Sequence, residues 1–412
     1  MDVSLGGDEE RGYDPAALAR LAEGSDPTAP DAFPVRVTEA SVERHYGRVR
    51  ELLEAVPERP DLPNGTVAAE LRERRQRAAD DVEDREEART GLERLGDGRY
   101  ARGEAAAVHG AYRAATGGID RETVADRRAA LRSDLRGFEG EWAYRGGDPS
   151  RALVVHAEFE ELRERARRGA EAWPPFPADP RADVFRVGEI VRGLENGVAT
   201  LGDASRLRTR YVEGRDDPQS YRTAITAAAH RLERRASWRR RRRHEFLDRR
   251  ASEAFERSVE GTPAEYLYHE ARERVRGAAD EADDARRTGD HATATLRSAT
   301  ELAGILAFDE VVDAVEAGEY GPPEDADRIA AALEDAVAAL REAWGTEPVP
   351  ASVELTRPAR DALRDARRRL EDADGDARTV DRAYANLAYV RLYAERVPEA
   401  VGAVTDALGG RG

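Results

Sequence analysis

Val184, Val187, Val191, Leu194, Val198 and Leu201 follow one another at steps of 3, 4, 3, 4 and 3. An average step near 3.5 places such side chains along one seam of an α-helix, and that seam is stable only when another helix covers it. The stepping recurs at Ala271, Val275, Ala278, Ala282 and Ala285, at Ile329, Leu333, Ala336, Leu340 and Ala343, and at Ala359, Leu363, Ala366, Leu370 and Ala373. Each run is too short for an extended two-chain coiled coil. Antiparallel helices packed within one chain are the expected arrangement.

Composition agrees with this pattern. Ala, Leu, Glu and Arg, all strong helix formers, dominate, while aromatic residues are only 6%. The predicted fold class is all-α: antiparallel helical hairpins and bundles, with long charged coiled-coil-like helices and a disordered N-terminal leader. The stretch Glu70–Leu95 has few apolar residues beyond Leu71, Val82 and Leu92, so it reads as a solvated arm or a coiled coil.

A chain of 412 residues exceeds one ordinary core. Proline clusters at Trp173–Pro180 and Pro348–Pro358 divide it, because proline cannot continue a helix. The expected parts are a mostly disordered leader over 1–35 with a short helix near Asp14–Ala22, a helical subdomain over 36–173, a central bundle over 181–345 and a C-terminal hairpin over 356–412. Tyr100–Glu104, Tyr144–Asp148 and Arg286–Asp290 each place glycine and an acidic residue before an Ala-rich stretch, and are predicted as hairpin turns. Gly188, Gly193, Gly197 and Gly202 are expected to let another helix approach closely.

Charge sets further bounds. There is no Cys, all 66 basic residues are Arg, and 83 acidic residues bring the net charge to −17. A disulfide framework, thiolate chemistry and a phosphate-loop lysine are all excluded. The Lys-free acidic composition resembles that of salt-loving archaea, a surface suited to screened surroundings. No stretch approaches the roughly 20 apolar residues of a membrane span. The most apolar one, Leu302–Phe308, is expected in a core helix. The N-terminus carries no signal-peptide pattern, so a cytoplasmic location is expected.

The strongest local anomaly is Arg239-Arg240-Arg241-Arg242-Arg243, preceded by Trp238 and followed by His244. From Arg231 to Arg250 ten arginines meet only Glu233, Glu245 and Asp248. Helical residues advance by about 100°, so five in succession cover the whole circumference. Three outcomes satisfy the physics: the helix projects into solvent, it breaks, or the guanidinium groups meet carboxylates or phosphates. Trp238, Arg239, Arg240, Arg241, Arg242, Arg243 and His244 are therefore the candidate phosphate- or partner-binding residues.

Histidine supplies no stronger candidate. Arg239 and His244, Arg151 and His156, and Arg286 and His291 have the Arg-x4-His spacing of helical ribonucleases of the HEPN type, and Arg102 and His109 the x6 form. With arginine at about one residue in six, chance alone supplies such spacings. Glu265, His269 and Glu273 line one helical face, as do His156 and Glu160, a pattern better read as surface ion pairing than as metal ligation. No glycine-rich dinucleotide motif follows a strand, and no Gly-x-Ser-x-Gly elbow occurs. No catalytic, cofactor-binding or metal-binding residue is assigned, and no cofactor is expected. The expected function is a non-enzymatic scaffold or interaction protein that takes a protein partner or self-associates. Nucleic-acid binding through Arg231–Arg250 is the alternative, with a helical nuclease or metalloenzyme third.

Overall fold

The computed structural model describes residues 12–24, 27–83, 90–171, 174–213 and 218–410. The helices run in chain order as α1 (Pro15–Ala22), α2 (Glu39–Glu54), α3 (Gly65–Glu83), α4 (Gly91–Thr116), α5 (Arg121–Glu141), α6 (Pro149–Gly169), α7 (Val184–Glu213) and α8 (Arg222–Arg242). There follow α9 (His244–Asp248), α10 (Ala251–Ala254), α11 (Pro263–Thr288), α12 (His291–Ala317), α13 (Ala326–Trp344), α14 (Val349–Leu355), α15 (Arg357–Glu371), α16 (Ala377–Ala394) and α17 (Val397–Leu408). Among the described residues the extended structure is one antiparallel pair, β1 (Arg145–Gly146) with β2 (Gln219–Ser220). The fold is all-α.

The chain forms two compact units. Unit 1 holds the described residues within 1–32, 148–154 and 221–412, and unit 2 holds 33–147 and 155–220. The proline segment at 174–180 joins α6 to α7 inside unit 2. Pro350 and Pro358 lie in the first turns of α14 and α15, where the missing N–H has no helical partner to lose.

In unit 2, α4 packs along α7, with α2 and α3 against α4 and α5 against α7. Glycine sets the closeness of these contacts. A Cβ on Gly110 would meet Val191 Cβ at 2.7 Å, and one on Gly188 would meet the Ala107 carbonyl at 2.6 Å. Gly169 and Gly197 let α6 approach α7 in the same way. Of the four glycines expected to admit a helix, Gly188 and Gly197 do so through their own missing side chains. Gly193 has open space there, and Gly202 faces Arg206 of its own helix.

The seam read on α7 is buried at Val184, Val187, Val191, Leu194 and Leu201, but Val198 is 42% exposed. The seam passes through Gly197 instead, where a side chain would strike Leu131. The Tyr100–Glu104 turn is not a turn: these residues lie inside α4, and Gly103 is there because Asn196 occupies the space of its side chain. Tyr144–Asp148 holds β1. Arg286–Asp290 is a helix end, closed by Gly289 at φ 79°. In the arm-like stretch, α3 packs on α2 and α4 through buried Leu71 and Ala78, and 84–89 lie outside the described residues.

In unit 1, α12 is the central helix. It packs against α8, α11, α16 and α17. Leu302–Phe308 is buried throughout, as a helix surrounded on several sides requires. The seams on α11 and α15 are buried at every residue, while Leu333 on α13 is half-buried. From the N-terminal leader, α1 starts at an Asp14 side chain that accepts from Ala16 N at 3.0 Å, and packs on α15. Residues 1–11 and 25–26 of that leader lie outside the described residues.

Candidate functional site

The five-arginine run closes α8. The helix ends at Arg242, and Arg243 leaves helical geometry at φ −106°, ψ 11° while its N–H still donates to the carbonyls of Arg239 and Arg240. Arginine in a last turn complements the partial negative charge of the helix end. Of the three physical outcomes, two occur together: the helix breaks, and part of the run meets carboxylates.

The run divides by helical angle. With steps of about 100°, positions 239, 240 and 243 share one face, and 238, 241 and 242 the other. On the first face Arg243 Nε donates to Asp309 Oδ1 at 2.6 Å. Arg239 lies 3.3 Å from Glu399 and 3.9 Å from Asp309. Arg240 Nη1 lies 2.9 Å from Glu301 Oε1, without the alignment of a hydrogen bond. Asp309 and Glu301 belong to α12 and Glu399 to α17, so these arginines tie the end of α8 to the middle of unit 1. Burial pushes Glu301 up to about 7, against the pull of Arg240 and Arg286. Burial also raises Asp309, although Arg243 and Arg239 favour its charge.

The second face is open. Trp238 is 51% exposed, and the Arg242 guanidinium carbon stands 4.8 Å from its ring centroid. Arg241 and His244 are exposed, and His244 Nδ1 lies 2.8 Å from the Arg241 carbonyl, which orients the imidazole at the helix end. The candidate residues thus fall into an internal set, Arg239, Arg240 and Arg243, and a solvent-facing set, Trp238, Arg241, Arg242 and His244.

The other histidines have separate settings. His156 is buried in an aromatic group with Trp142, Tyr144, Phe159 and Tyr211. Trp142 Nε1 donates to His156 Nδ1 at 3.0 Å, so the ring hydrogen is on Nε2, which donates to the Arg145 carbonyl at 2.9 Å. Burial lowers His156 to about 4, against the hydrogen bond to Arg145, and the ring stays neutral. His269 lies 3.6 Å from Glu265, while Glu273 pairs with Arg272 and Arg276. Among the described residues no three His, Asp or Glu converge to hold a metal ion, and no helix is long and apolar enough to cross a membrane.

Reasoning from spacing missed a second charged cluster, in unit 2. Glu195 on α7 is 3% exposed and is reached by three arginines from three helices. Arg102 of α4 donates from Nε at 3.0 Å and Nη2 at 2.8 Å, Arg127 of α5 from Nη2 at 2.7 Å, and Arg48 of α2 from Nε at 3.2 Å. Burial raises Glu195, but Arg102, Arg127 and Arg48 outweigh it and hold the carboxyl below its ordinary value. Two turns along α7, buried Asp203 takes Arg99 Nη1 at 2.9 Å and His45 Nε2 at 3.0 Å. A buried carboxylate survives only when it is paired in this way.

Comparison with known families matches each cluster to a separate domain. Residues 40–217, with the Glu195 and Asp203 cluster, match the domain of unknown function DUF8262. Residues 222–406, with the Arg239–Arg243 run, match the domain of unknown function DUF8264. No curated protein and no solved structure gives a significant match.

Proposed function

We propose that the chain is a non-enzymatic interaction protein that docks an anionic protein partner on the open face formed by Trp238, Arg241 and Arg242. One observation carries the reading: a large indole is left half in solvent with a guanidinium stacked on it, while its neighbours in the same run pair internally. Tryptophan and arginine dominate the energetic centres of protein interfaces, because a rigid ring with a charged donor beside it gains much from desolvation. The arginines supply an attraction that steers a carboxylate-rich partner.

Nucleic acid is disfavoured by the same geometry. Salt-sensitive affinity for a phosphate backbone grows with the number of phosphates neutralised. Arg239, Arg240 and Arg243 already pair with carboxylates, which reduces the groups the run can offer. The net charge of −17 opposes a polyanion over the remaining surface.

The test is co-purification at native salt, with nuclease added, comparing the parent with a Trp238→Ala, Arg241→Gln, Arg242→Gln variant. The expected outcome is a protein partner recovered with the parent and reduced about tenfold with the variant. Recovery that nuclease abolishes assigns the face to nucleic acid. A parent that stays monomeric and recovers nothing contradicts the interaction reading.

A further inference from the structure

The geometry points to an oxyanion-binding site in unit 2 where α2, α4, α5 and α7 converge: Arg48, Arg102 and Arg127 share the carboxylate of Glu195, and their spare N–H groups take a phosphate or sulfate on the solvent side.

The first support is a local excess of positive charge. Arg48, Arg102 and Arg127 meet Glu195, and among the described residues only Glu51 pairs with any of them besides, 2.8 Å from Arg48 Nη1. Arg113, one helical turn beyond His109 on α4, adds a fourth guanidinium whose field reaches that imidazole. Arg113 also acts on the carboxylate of Asp120. Four cations thus stand against three carboxylates, in a chain where acidic residues outnumber basic ones by 83 to 66.

The second support is the donors left over. A guanidinium carries five N–H groups. Arg127 places Nη2 on Glu195 and Arg102 places Nε and Nη2 there. Arg127 Nε and Nη1, Arg102 Nη1 and Arg48 Nη2 make no hydrogen bond among the described residues. Arg48 is 39% and Arg127 34% exposed, so the cluster opens to solvent at these two while Arg102 and Glu195 form its floor. Glu195 holds the three forks in fixed positions, the preorganisation that bidentate oxyanion binding needs.

The third support is His109. This half-buried imidazole has no hydrogen-bond partner among the described residues, and its pKa is lowered by burial, then by Arg113, Arg48 and Arg127, with Glu195 opposing. An anion seated between Arg48 and Arg127 offsets that field and offers the ring an acceptor. Inorganic phosphate, a phosphomonoester and a phosphodiester share the required chemistry.

The experiment uses the full chain labelled with ¹⁵N at histidine, which gives signals from seven imidazole rings, two nitrogens each, with those of His109 identified by His109→Gln. Inorganic phosphate, adenosine monophosphate and a short single-stranded oligonucleotide are titrated in separate arms, each against chloride at equal ionic strength. The proposal expects a saturable His109 shift with at least one of these ligands and none with chloride. The arm that saturates at the lowest concentration identifies the source of the oxyanion. Arg127→Gln and Arg48→Gln, checked for unaltered helical content, are expected to weaken the response about tenfold. His109 shifts equal to those in chloride in all three arms overturn the proposal, as do folded variants that respond like the parent.

Discussion

Arg242 stands over the indole of Trp238, 4.8 Å from guanidinium carbon to ring centroid, while Arg243, the next residue, turns inward to Asp309 at 2.6 Å. One step of about 100° separates a side chain offered to solvent from one spent on the fold. The two are expected to differ in their contribution to stability. Trp238→Ala and Arg242→Gln should each alter the unfolding free energy by less than about 0.5 kcal/mol, as surface changes do. Arg243→Ala removes a charged hydrogen bond to a half-buried carboxylate and should cost about 1–2 kcal/mol. Urea denaturation of the three variants measures both.

The Glu195 cluster makes a steeper prediction. Arg102→Ala deletes two of the four hydrogen bonds that stabilise a buried carboxylate. The expected loss is about 2–4 kcal/mol, because charge stripped of partners in the interior is costly. Glu195→Gln keeps the shape and removes the charge, leaving three guanidiniums facing one another, and should also destabilise. Denaturant midpoints at constant slope report these losses.

Glycine substitutions separate crowding from helix propensity. In Gly188→Ala the added methyl would lie 2.6 Å from the Ala107 carbonyl, backbone that cannot swing aside. The expected cost is about 1–3 kcal/mol. Gly277→Ala on α11 meets open space and should gain about 0.5–1 kcal/mol from propensity alone. Thermal unfolding should move in opposite directions for the two.

Glu301 links stability to pH. A glutamate in the unfolded chain titrates near about 4.3. Burial pushes the folded value up to about 7 in spite of Arg240 and Arg286, with Asp283 and Glu233 adding to the rise. The folded state therefore holds this proton more tightly. Its stabilisation is complete below the unfolded value and is lost as pH climbs toward 7. Glu301→Gln should match the parent near about pH 4.5 and exceed its stability by about 2–3 kcal/mol near about pH 8. A stability difference that does not change with pH would show that Glu301 titrates alike in both states.

The helical seams were legible because their burial follows from local spacing alone. Ala271–Ala285 and Ala359–Ala373 lie buried where the 3–4 stepping places them. Val198 departs from its seam because Gly197, which carries no apolar signal, takes the contact with Leu131. Tyr100–Glu104 resembled a turn because glycine beside an acid ends many helices, yet Gly103 serves close packing against Asn196. Glu195, Asp203 and Glu301 drew no reading from the sequence, since nothing near them in sequence shows that they are buried. Their partners come from other helices: Arg102 lies 93 residues from Glu195, and Arg240 belongs to α8 while Glu301 belongs to α12. The arginine run was legible as an anomaly, but its division into inner and outer faces required the positions of α12 and α17.

The most direct test of the interaction reading is site-specific photo-crosslinking in cells. p-Benzoylphenylalanine is placed at position 234, exposed one turn before Trp238 on the same face of α8, which leaves Trp238, Arg241 and Arg242 in place. Position 277 on α11 is the exposed-helix control. The account predicts one dominant adduct from position 234, a protein identifiable by mass spectrometry and rich in acidic residues at the crosslink, that is absent from position 277. No adduct at position 234 above that at position 277 would contradict it.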